Sequence, residues 1–194
     1  MPSEPNALQD THVDQLELDN PFWQFSLEQW KNPALQNQLL HLQNTQGIRI
    51  NLILLSMWMG FEHRDIRTCL TAVLDDTRAW HEQVVKPLRE TRKALPVSAA
   101  ALKKHIQTCE LQAEQIEQAQ LYASSQPFML EQKSDTHGTG YDSLDWLIIN
   151  LSASELAESD LFLLIQNCLP SYPVHRIQER IKQHRLPSRD QGRD

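Results

Sequence analysis

The stretch Ile48-Arg49-Ile50-Asn51-Leu52-Ile53-Leu54-Leu55-Ser56-Met57-Trp58-Met59-Gly60-Phe61 decides how the chain is read. Its apolar side chains fall on every side of a helical wheel, not on one stripe, so it predicts a central helix over about 48–60 surrounded by other elements. The run is fourteen residues long and interrupted by Arg49 and Asn51. That falls short of the roughly 20 apolar residues needed to span a bilayer, so a buried core helix is expected and a membrane span is not. Asn51 must find partners there, because a buried unpaired amide costs about 1–3 kcal/mol.

Working back from this stretch, Gly47 closes the preceding helix as a residue that tolerates positive φ. That helix opens with Asn32 as cap and Pro33 at its first position, and Leu35, Leu39 and Leu42 share one face. Asn20-Pro21 repeats the device and opens a helix over about 21–31, with an aromatic face of Phe22, Phe25 and Trp30. Before it, residues 1–19 hold five acids and no Lys or Arg, and read as an acidic leader without fixed structure.

Working forward, helical signal runs from Asp65 to Leu95 in two pieces, and Pro87 should kink the later piece about a turn earlier. A break at Pro96-Val97-Ser98 precedes a long helix over about 99–123. There Leu102, Ile106, Cys109, Ala113 and Ile116 form a heptad-like seam. At barely two heptads it is too short for a coiled coil, so docking against the domain is expected. Residues 124–143 show no period and read as a long loop. Leu144–Leu151 is apolar, and Ser152-Ala153-Ser154-Glu155 has the pattern of a capping box opening a helix to about Cys168. Val174, Ile177 and Ile181 stripe a short basic helix, and the tail from Leu186 is polar. Nothing alternates as a strand would. The expectation is all-α: a single-domain bundle of about seven to eight helices over 20–185.

Composition agrees. Hydrophobic residues make up 40%, charged residues 22%, and only 5 residues are Gly, which excludes a disordered chain and a turn-rich β-sandwich. The 20 Gln residues suit polar outer helix faces. With 18 basic against 25 acidic side chains the net charge is −7, which disfavours a dedicated DNA-binding domain. Position refines this, because residues 62–104 hold nine basic and six acidic side chains, whereas 110–160 hold one and ten. Complementary surfaces could therefore satisfy each other within the fold or between subunits. The start has no basic n-region or apolar h-region, so no signal peptide is expected. Cys69, Cys109 and Cys168 form no CxxC pair, and reduced thiols in a cytoplasmic protein are the plain reading.

Three blocks prompt a family resemblance. Phe22-Trp23-Gln24-Phe25-Ser26-Leu27, Leu39-Leu40-His41-Leu42-Gln43 and Ile50–Leu55 with Trp58 form the first. Trp80, Val84–Arg89 and Arg92 form the second, and Glu110-Leu111-Gln112-Ala113-Glu114 the third. Over about residues 20–122 the chain resembles a bacterial conserved-hypothetical family, a domain of unknown function. The resemblance implies a small cytoplasmic helical protein and brings no activity or cofactor.

Candidate chemistry is sparse. Arg78, Arg89, Arg92, Lys93 and Lys86 gather opposite Trp80, Val84, Leu88 and Leu95 on one helical wheel. Such a face could hold an anionic ligand or an acidic partner through bidentate Arg; the plainer account is a solvated outer face with pairs such as Glu82–Lys86. His105 and Cys109 share a helix face, but a metal site needs three or four ligands, and a buried thiol beside an ordinary His explains them. Asp75-Asp76 lacks the second acid cluster of magnesium-diphosphate sites and reads as a cap at a helix joint. No Gly-x-Ser-x-Gly occurs, the cysteines sit in apolar settings that suggest packing, and His137-Gly138-Thr139-Gly140 is no phosphate loop. The aromatic set Phe22, Trp23, Phe25, Trp30, Trp58 and Trp80 reads as core.

The leading expectation is a cytoplasmic protein acting by protein–protein contact, through the basic 78–93 face, the acidic leader or the C-terminal helices, with no catalytic motif, cofactor or metal. The alternative is a small-molecule-binding protein or enzyme. Its pocket would be lined by Trp23, Asn51, Trp58 and Trp80, with Arg89 and Arg92 holding an anion. No membrane partner is expected, nucleic acid is disfavoured, and a homo-oligomer stays open.

Overall fold

The computed structural model describes residues 16–131 and 140–185, and every regular element among them is helical. The protein is all-α. Contacts gather the described residues into two compact units. One holds residues up to Ser26 together with Thr68–Glu131; the other holds Leu27–Arg67 and the described residues from Gly140 onward. Helix α1 (Pro21–Gln29) divides between them.

The second unit is built on the apolar stretch. Helix α3 (Ile50–Phe61) buries Asn51 and every residue from Ile53 to Gly60, and packs along α7 (Ser143–Ser152). Gly60 allows this approach: a Cβ there would stand 3.1 Å from Leu147 Cδ2 and 3.3 Å from Leu147 Cα. Upstream, α2 (Pro33–Gln46) begins where the Asn32 side chain accepts the amides of Ala34 and Leu35. It ends at Gly47 with φ +70°, burying Leu35, Leu39 and Leu42. Helices α8 (Glu158–Cys168) and α9 (Val174–Arg185) complete the packing, α9 through Ile177 and Ile181. The amide of Asn150, itself fully buried, ties the turn after α3 to α7. Its Oδ1 accepts the Ile66 N–H at 3.0 Å, and its Nδ2 donates to the carbonyls of Arg64 at 2.7 Å and Ser56 at 3.2 Å.

The first unit is a helical hairpin. One arm is α4 (Leu70–Trp80), a π-turn over His81–Val85 and α5 (Lys86–Ala94); the other is the long α6 (Ala100–Glu131). Pro87 explains the π-turn. It has no N–H to give the carbonyl four residues back, and its ring crowds that carbonyl. Widening the preceding turn, so that the Lys86 N–H reaches His81 O five residues back, relieves both problems. The expected kink thus takes the form of a bulge.

Several expectations need correction. The helix ending near 123 runs on to Glu131, because Leu121, Ser125 and Met129 keep one buried face through Pro127; the expected loop therefore begins later, and residues 132–139 lie outside the described residues. The capping box is Asp142 with Asp145 at the start of α7, whereas Ser152–Glu155 is the exit from that helix, with Glu155 at φ +55°. Helix α8 opens instead at Glu158. Asp75 and Asp76 lie within α4, paired with Arg78 and Ser124, and cap no joint. Trp30 lies past the end of α1 and is exposed. The leader up to residue 15 and the tail from 186 lie outside the described residues. Among the described residues no helix is long and apolar enough to cross a membrane.

Candidate functional site

The basic face of 78–93 does not point outward as a unit. Arg78 is exposed and pairs with Asp75 at 2.5 Å; Lys86 is exposed and pairs with Glu82 at 2.8 Å; Lys93 is also exposed. Arg89 and Arg92 turn inward onto α6, which corrects their placement on a solvated face. Arg89 Nε donates to Glu110 Oε1 at 3.0 Å, and its Nη2 to Glu114 Oε1 at 2.5 Å. Arg92 Nε donates to Glu110 Oε2, and its Nη2 to Glu110 Oε1 at 3.2 Å. One turn further along α6, His81 Nδ1 meets Glu117 Oε1 at 2.8 Å, and Trp80 Nε1 donates to the Ala113 carbonyl at 2.9 Å.

These contacts form a brace. Glu110, Glu114 and Glu117 recur at spacings of four and three, one α6 face, and meet Arg89 and Arg92 from α5 and the His81 ring from the π-turn. Helix α5 has no fully buried residue of its own, and Arg89 and Arg92 give it three ion pairs to α6. Burial pushes the Glu114 carboxyl above its ordinary value, against the opposing pull of Arg89. The hydrogen bond from Arg92 to Glu110 holds that guanidinium more firmly protonated still.

Beyond the brace, the first turns of α6 are uncovered. Leu102 is 52% exposed and Cys109 is exposed, while Ile106 is half-buried between them; Ala113, one turn on, is 4% exposed. The heptad-like seam therefore docks only at its C-terminal end, and Cys109 is no buried thiol. Val97 at 90% exposure stands just before the helix. Between residues 91 and 109 there is no Asp or Glu, whereas Arg92, Lys93, Lys103 and Lys104 all lie there. Lys104 and His105 are exposed, and His105 Nδ1 lies 2.8 Å from the Ala101 carbonyl. The result is a partly exposed apolar stripe on a segment without carboxylates.

The residues expected to line an aromatic pocket are divided between the two units. Trp23 and Trp80 belong to the first unit, whereas Asn51 and Trp58, both buried, belong to the second. Within the second unit a groove of about 260 Å³ is lined by Asp142, Leu144, Tyr172, Arg176, Glu179, Arg180 and Gln183. Arg180 Nη1 is committed to the buried Asp145, at 2.7 and 2.8 Å from its two oxygens, and His184 Nε2 lies 2.9 Å from the same carboxylate. Burial alone would raise the Asp145 carboxyl. The hydrogen bond from His184, the amide of Asp142 and the charge of Arg180 outweigh it and hold the carboxyl below its ordinary value. Among the described residues no three His, Cys, Asp or Glu side chains gather to hold a metal ion.

The sequence set the basic 62–104 stretch against the acidic 110–160 stretch as complementary, but did not pair Arg89 and Arg92 with Glu110 and Glu114, and it passed over Glu117. Their spacing on one helix face, matched to Arg89 and Arg92 three apart, was the available signal. A family model described as a protein of unknown function (DUF2390) matches residues 21–121, from α1 through the brace. No curated protein and no solved structure matches the chain.

Proposed function

This chain belongs to the DUF2390 family of proteins of unknown function, a membership that brings no activity with it, and we propose that it acts by binding another protein through the first turns of α6. The observation behind this reading is the stripe of exposed Leu102 and Cys109 with half-buried Ile106 between them, on a helix whose turn Glu117–Leu121 is wholly buried. Isolated exposed apolar side chains are ordinary, but a stripe at helical spacing is the form in which one helix receives another. The brace gives that stripe a rigid mount, and a preformed surface spends less ordering entropy on binding. We place this work in the cytoplasm, where three unlinked cysteines stay reduced.

A photo-cross-linking amino acid at Leu102 or Thr108, in the intact cell, should trap a second polypeptide, and the same group at Arg78 should not. Equal yields at all three positions, or none at any, would overturn the proposal.

A further inference from the structure

We infer that α9 is a strap that opens separately from the rest of the second unit, and that the buried carboxylate of Asp145 is its catch. The strap shares no residue with the α6 stripe, which belongs to the first unit.

Helix α9 is sparsely fastened. Ile177 and Ile181, one turn apart, are 0% and 1% exposed, whereas His175, Arg176, Gln178, Glu179, Lys182 and Gln183 are all exposed. Arg180 and His184 keep the same four-residue spacing beside the isoleucines. Among the described residues, every side-chain hydrogen bond of α9 belongs to these two and ends on Asp145. The neighbouring helices are held otherwise. Helices α3 and α7 bury most of their residues. Helix α8 buries Leu161, Leu164 and Ile165 and is also pinned to α2 and its cap. Gln38 Nε2 donates to the Asp160 carbonyl at 3.0 Å, Asn167 Nδ2 to Gln38 Oε1 at 2.8 Å, and Asn32 Nδ2 to the Asn167 carbonyl at 3.0 Å.

The seam between α9 and α7 is open along part of its length. The groove of about 260 Å³ has Arg176, Glu179 and Gln183 on one side and Asp142 and Leu144 on the other. Beside it sits the catch. Asp145 is 1% exposed; Arg180 Nη1 reaches both of its oxygens, His184 Nε2 lies against Oδ1, and the Asp142 N–H donates to Oδ2 at 3.1 Å. These contacts occupy the acceptor directions of the carboxylate. Without Arg180 and His184 it would keep one amide, and a buried charge so poorly matched favours the arrangement in which α9 lifts and water reaches it. Opening bares Asp145 together with Ile177 and Ile181.

Hydrogen exchange of the full chain at neutral pH, read segment by segment by mass spectrometry, tests the strap. In the native protein the amides of Ile177–Lys182 should exchange faster than those of Ile53–Met59, because only the former are released by a partial opening. Arg180→Gln/His184→Gln should speed exchange in α9 by about tenfold or more. Those substitutions spare the capping box of α7, which Asp145 also serves. Leu39→Ala, at a buried site on α2, should speed exchange in α3 and leave α9 at its native rate, since a strap that opens by itself leaves that site packed.

An α9 rate that rises with that of α3 in Leu39→Ala would mean that the helix opens only when its whole unit unfolds, and would overturn the strap. An α9 rate unchanged in Arg180→Gln/His184→Gln would overturn the catch. Should the double variant fail to fold, the native rates and the Leu39 variant still decide whether α9 opens alone.

Discussion

The two halves of α6 share one helix and live in different surroundings. From Glu117 to Leu121 every residue is buried, Glu and Gln included, whereas from Ala100 to Cys109 only Lys103 and Ile106 are even partly covered. Intrinsic helix propensity does not separate them, since both halves are rich in Ala, Gln and Leu. The difference is in what meets them: α4 and the π-turn pack against α6, and the ion pairs from α5 land on Glu110 and Glu114, past the displayed turns. A helix can be anchored at one end and displayed at the other.

The contrast can be broken by substitution, and the largest effect belongs to the anchored half. Leu121→Ala empties a fully buried site and should destabilise the chain by about 3 kcal/mol in urea denaturation. Glu110→Ala leaves Arg89 and Arg92 short of a partner. Because Arg92 is partly exposed and Arg89 keeps Glu114, the cost should be nearer 2 kcal/mol than the full penalty for a broken buried pair. A loss below about 0.5 kcal/mol in the Glu110 variant would mean that the brace does not hold α5.

Glu114 sharpens the comparison through pH. Its folded value is raised above the ordinary 4.5, so the folded chain binds a proton more tightly than the unfolded one. Stability from this group is therefore complete below about 4.5 and declines as pH rises toward the raised value. Glu114→Gln should flatten that decline in a pH series of denaturation curves; an unchanged slope would contradict the assigned burial. Asp145 works in the opposite sense. Its lowered value means that its contribution is present above 3.8 and is lost as pH falls through the folded value, so Asp145→Asn should blunt acid unfolding. Smallest of all, Leu102→Glu in the displayed half should change stability by no more than about 0.5 kcal/mol.

How much of this was legible in the sequence depends on the range of the interaction. Asn32, Pro33 and Gly47 act on their own backbone, and the helix they bound is where the sequence reading put it. The central helix was legible because no amphipathic surface helix is apolar on every side. Ser152–Glu155 and Asp142–Asp145 both satisfy a capping pattern, and only the packing of α7 on α3 decides which one caps. Arg89 and Arg92 show the same limit: a helical wheel separates their side from the apolar side, but not solvent from the acids of another helix. The seam of α6 was read from period alone, and period says nothing of where a neighbouring helix ends.

The most direct test of the displayed half is the alkylation rate of the three thiols in the native, unbound chain. Cys109 should react with iodoacetamide within about tenfold of an unstructured cysteine peptide, half-buried Cys168 more slowly because its thiol is pushed up to about 12, and buried Cys69 only on unfolding. A Cys109 rate as slow as that of Cys69 would show the first turns of α6 to be covered in the free protein, and would contradict the display of this face to a partner.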